Sequence, residues 1–65
     1  MNKNQAERSQ KINLLMQQLN SVLAVDKVPE RHEWILWVMD KFSCSARTAR
    51  EYVEVAFMRL GIKHG

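Results

Sequence analysis

Arg47 and Arg50 stand about one helical turn apart in the run FSCSARTAREYVEVAFMRL, residues 42–60, and a guanidinium is the most versatile recognition group in the chain. Its planar fork of donors matches both the edge of a guanine and the oxygens of a phosphate. Lys41, Ser43, Ser45 and Thr48 surround the pair with one ammonium and three hydroxyls, groups that grip a phosphate backbone without reading its sequence. Ala46 would leave room for close approach, and Glu51 can accept from a cytosine amino group or orient an arginine. Other chemistries lack their spacing. Cys44 has no histidine near it in sequence, His32 and His64 form no ligand pair with it, and no glycine-rich loop is present to cradle a phosphate. The residues therefore point to binding, and no catalytic residue, metal, cofactor or small-molecule ligand is expected.

Three helices are needed to hold these side chains. Ser45 is a good N-cap, because its hydroxyl can accept from an otherwise unpaired amide of the following turn. A helix over about 46–60 follows, with Gly61 as a natural stop. At 100° per residue it gathers Ala49, Val53, Ala56, Phe57 and Leu60 on one face and Arg47, Arg50, Glu51 and Glu54 on another. Arg47 with Glu51, and Arg50 with Glu54, are also spaced for surface ion pairs along the helix. Tyr52 is expected to close the core with its ring while its hydroxyl reaches the surface.

A second helix is expected over about 29–42, with Pro29 in its first turn, where a missing amide costs nothing. Trp34, Ile35, Val38, Met39 and Phe42 share its broad apolar face. Leu36 and Trp37 fall opposite, beside Glu33 and Asp40, and are expected to be covered by the first helix or by a second chain. A first helix over about 4–23 carries a stripe of Ile12, Leu15, Met16, Leu19, Val22 and Leu23, with Leu14 off it. Asn4 and Glu7 have the spacing of a capping box at its start.

Sixty-five residues allow one small domain. An apolar share of 46% against 26% charged fits a folded domain and not a disordered tail. The net charge of +3 permits a polyanionic partner without requiring one. A single cysteine and the lack of an apolar leader or a long apolar run lead to the expectation of a cytoplasmic protein without a membrane span.

The apolar helix ending MDKF, the turn SCS and the run SARTAREYV together resemble helix-turn-helix DNA-binding domains, over about half the chain. The resemblance implies an all-α, three-helix domain with a C-terminal helix-turn-helix. Only four residues follow Gly61, so no wing is expected. Cys44 would take the small turn position, Ser45 the cap, and Ala49 and Val53 the buried positions. Two residues depart from the pattern: Ser43 stands where glycine usually supplies a left-handed turn, and Met39 where alanine usually lets the helices approach. The implied function is a transcriptional regulator of double-stranded DNA acting as a homodimer. Its third helix would present Ala46, Arg47, Arg50 and Glu51 to base edges, while Lys41, Ser43, Ser45 and Thr48 hold phosphates. The rival expectation is a helical interaction or oligomerisation module whose partner covers Leu36, Trp37, Val55 and Met58.

Overall fold

The computed structural model describes residues 3–62, with side chains from Ala6 onward, and among them finds three helices and no strand. Helix α1 spans Lys3–Ala24, α2 Arg31–Phe42 and α3 Ala46–Leu60. The all-α, three-helix expectation is met. Helix α3 packs along both of the others, and it supplies five of the buried side chains, Ala49, Tyr52, Val53, Ala56 and Phe57. Ile12, Leu15 and Leu19 of α1 and Val38 of α2 complete that core. The apolar stripes read from helical spacing are therefore the ones that pack, with Leu23 at the exposed margin of its stripe and Leu14 outside it.

Helix starts follow local chemistry. At α3, the Ser45 hydroxyl oxygen accepts from the Thr48 amide at 3.3 Å and donates to the Thr48 hydroxyl at 3.2 Å. Cys44, just before the cap, packs against the core, and its thiol donates to the Val38 carbonyl at 3.8 Å. The start of α2 differs from expectation. Pro29 is not in the helix: Glu30 is the extended N-cap, without a side-chain bond, and Pro29 precedes it. The proline is buried and lines one recess with Trp34, so it acts as the apolar residue before a cap that packs on the fourth helical residue. At α1, Asn4 lies inside the helix, so it does not begin the helix as expected; its side chain lies outside those described.

All three helices end in one way. Asp26 after α1, Ser43 after α2 and Gly61 after α3 each have a positive φ, of 62°, 51° and 69°. After α1 the Lys27 amide donates to the Val22 carbonyl, and after α3 the Ile62 amide donates to the Phe57 carbonyl, closing the final turns. Ser43 thus takes the left-handed conformation that its place in the turn demands, at a steric cost to a residue with a Cβ. Ser43→Gly is expected to raise stability by roughly 0.5–1 kcal/mol, the relief exceeding the added entropy of the unfolded chain. A thermal melt checks this, and an unchanged or lower midpoint would show that the serine is unstrained.

Aromatic rings join the helices outside the central core. Trp34 and Trp37 lie 5.2 Å apart, Trp37 and Phe42 6.0 Å, and Phe42 and Tyr52 6.5 Å. From α1, Arg8 stands 5.9 Å over the Tyr52 ring and Lys11 5.8 Å over Phe42. Trp37 is accordingly half-buried and packed on its own core, where the wheel had put it on the open side. Val55 is likewise half-buried against the core and does not point outward as expected. Trp37 is thus partly covered from within the chain, beside Val22 of α1 and the segment that carries Val28 and Pro29.

Candidate nucleic-acid interface

Arg47 and Arg50 are exposed in the first two turns of α3, and Ala46 and Glu51 beside them are exposed as well. Their position is fixed by three features of the hairpin: the left-handed Ser43, the Ser45 cap and Ala49, which is 0% exposed. A side chain larger than methyl at Ala49 would push α3 away from the core. Ser43 and Ser45 are exposed in the turn, and Thr48 is half-buried with its hydroxyl engaged by Ser45.

The ion pairs expected along α3 do not form. Glu54 instead pairs with Arg31 of α2, and among the described residues neither Arg47 nor Arg50 is in an ion pair. The reason is geometric. The first residue of α2 comes beside the middle of α3, where Arg31 takes the carboxylate that Arg50 would have used, while the exposed Glu51 makes no bond to Arg47. The two arginines are left available to an outside acceptor. Arg50 also lines a shallow recess between the two helices with Arg31, His32, Ile35 and Glu54. Arg31 and His32 thereby join the candidate surface, which spacing within α3 had not indicated. The signal would have been their place in the first turn of a helix antiparallel to α3.

Lys41 is separated from this group. The helical wheel of α2 puts it at the angle of Trp34 and Trp37, whereas His32 and Ile35 mark the side that meets Arg50. Of the exposed apolar residues, Leu23, Val25 and Val28 gather at the end of α1, whereas those assigned to a partner interface are apart. Leu36 is 52% exposed on α2, and Met58 is 78% exposed on α3, on the side of Arg47 but eleven residues further along, about 16 Å at the rise of a helix. Half-buried Val55 and Trp37 do not join them into one patch.

His64 lies outside the described residues, and His32 is exposed. No group of three or more metal-ligating side chains occurs among the described residues, and no described helix is long and apolar enough to cross a membrane. Compared with protein families, with curated proteins and with solved structures, the chain matches none.

Proposed function

We infer that this chain is a small helix-turn-helix DNA-binding protein, with α3 as the helix that enters the major groove. The observation that carries the reading is the pair of unpaired, exposed arginines at the start of a helix whose own acidic neighbour is tied up by Arg31. A three-residue turn, a left-handed residue at its first position and a capped second helix are the local features of that motif. Met39, larger than the residue usual at its place, is half-buried against the core, so the hairpin accommodates it.

In this reading Ala46, Arg47, Arg50 and Glu51 meet base edges, and Ser43 and Ser45 contact phosphates with help from the exposed His32, while Arg31 keeps Glu54 paired. Thr48 acts through Ser45, by holding the cap. The affinity of one such helix is small at physiological salt, because it neutralises few phosphates. Two copies on two half-sites multiply it. A role in transcriptional regulation is the default for such a protein, and Leu36 on α2 and Met58 on α3 are too far apart to form one docking face of an adaptor.

Titration of a mixed-sequence DNA duplex at several salt concentrations tests it. Binding that weakens linearly in the logarithm of salt is expected, with the slope counting the phosphates neutralised. No binding at low salt would overturn the reading.

A further inference from the structure

Glu33, Trp37 and Lys41 follow one another at intervals of four and form a single ridge along α2. Glu33 and Lys41 are exposed and Trp37 is half-buried. On the wheel Glu33 and Trp37 lie about 160° from Ile35 and Lys41 about 120°, so the ridge runs along the flank of α2 away from the recess shared with Arg50, with the inner edge of Trp37 on the core and Phe42. Trp37 also lines a recess with Val22, Val28, Pro29 and Trp34, which continues the apolar surface past the ridge; Val28 is 81% exposed. An acid at one end, a tryptophan in the middle and a base at the other make this ridge complementary to itself when reversed.

We propose that this ridge is where two copies of the chain meet, α2 against the partner's α2, antiparallel, with the two Trp37 rings at the two-fold axis. The surface rests on the reading of the chain as a protein that acts in pairs, and it names the contact. The register is set by charge: Trp37 against its own copy places Glu33 beside the partner's Lys41 twice over. A slip of one residue would instead put Glu33 beside the partner's Asp40, two like charges. Asp40 itself stands at the margin of the ridge, open to water.

The arrangement also fits the spacing of a duplex. Packed helix axes lie about 8–10 Å apart. With α3, α2, the partner's α2 and the partner's α3 in that order, the two α3 helices are about 24–30 Å apart, near the roughly 34 Å that separates half-sites one turn of DNA apart. The two-fold axis runs perpendicular to that row of helices. It therefore turns both Arg47 side chains to the same side.

Sedimentation equilibrium of the full chain, without DNA, tests the contact. The wild type is expected to dimerise. Glu33→Lys and Lys41→Glu should each weaken dimerisation about tenfold or more, since each brings like charges together twice, and the double variant Glu33→Lys/Lys41→Glu should restore it. Both changed positions are exposed, and circular dichroism checks that each of the three variants stays helical. A wild type that stays monomeric up to millimolar concentration, or a dimer indifferent to all three variants, would overturn the proposal. Because DNA is left out, a failure to bind DNA leaves this result standing, and a failure to dimerise leaves the DNA titration standing.

Discussion

Phe57→Ala is expected to leave the chain largely unfolded at room temperature. Phe57 is 1% exposed and heads the fully buried side chains by volume, on the helix that both other helices pack against. Truncating such a phenylalanine costs about 3–5 kcal/mol, from lost transfer energy and the cavity left behind. A chain of 65 residues has a total stability of only about 3–10 kcal/mol at the usual value per residue. The loss therefore consumes much or all of it. Far-ultraviolet circular dichroism during a thermal melt reads the effect directly. A midpoint within a few degrees of wild type would mean that the three helices do not share Phe57 as their common packing centre.

The second large effect is on recognition. Arg47→Ala and Arg50→Ala are each expected to weaken binding to a preferred DNA sequence by about 1–3 kcal/mol, and the double variant by up to the sum. Neither arginine has a partner ion among the described residues, so neither truncation removes an internal support of the fold. Melting temperature should stay near wild type while affinity falls. Equal affinity in wild type and both variants would remove α3 from the interface.

Helix α3 was legible in the chain almost residue by residue, because each of its determinants is local. Ser45 caps its first turn, Gly61 ends it, and the apolar residues between them recur at one helical period. The first-turn arginines are exposed for the same reason: they fall opposite that stripe. The ends of α1 and α2 lie within a residue of those expected, at 24 and 42, and the left-handed Ser43 was legible only through its place in the resemblance, while the left-handed Asp26 carried no such signal.

What spacing within one helix does not contain is the neighbour. The wheel of α2 showed that Trp37 needs a cover without saying which, and part of it comes from Val22 of α1 and the segment that carries Val28 and Pro29. The partner of Glu54 was sought four residues away on its own helix, and it came from Arg31, twenty-three residues away in sequence. Lys41 was grouped with the arginines through proximity along the chain, whereas its angle on α2 sets it with the tryptophans. For Trp37 and Glu54 the missing information is how two segments lie against each other, a long-range property that periodicity in one segment does not encode, whereas the angle of Lys41 was already present in the spacing of α2.

The central claim is that Arg47 and Arg50 read DNA from the start of α3. The most direct measurement is selection from a pool of random duplexes, followed by titration of the enriched sequence with wild type and with Arg47→Ala/Arg50→Ala. Wild type should enrich one sequence and bind it at least about a thousandfold more tightly than the unselected pool. The double variant, with an unchanged helical spectrum, should bind both at the level of the pool. Enrichment of no sequence by wild type, or an enriched sequence that the folded double variant binds equally well, would contradict the account.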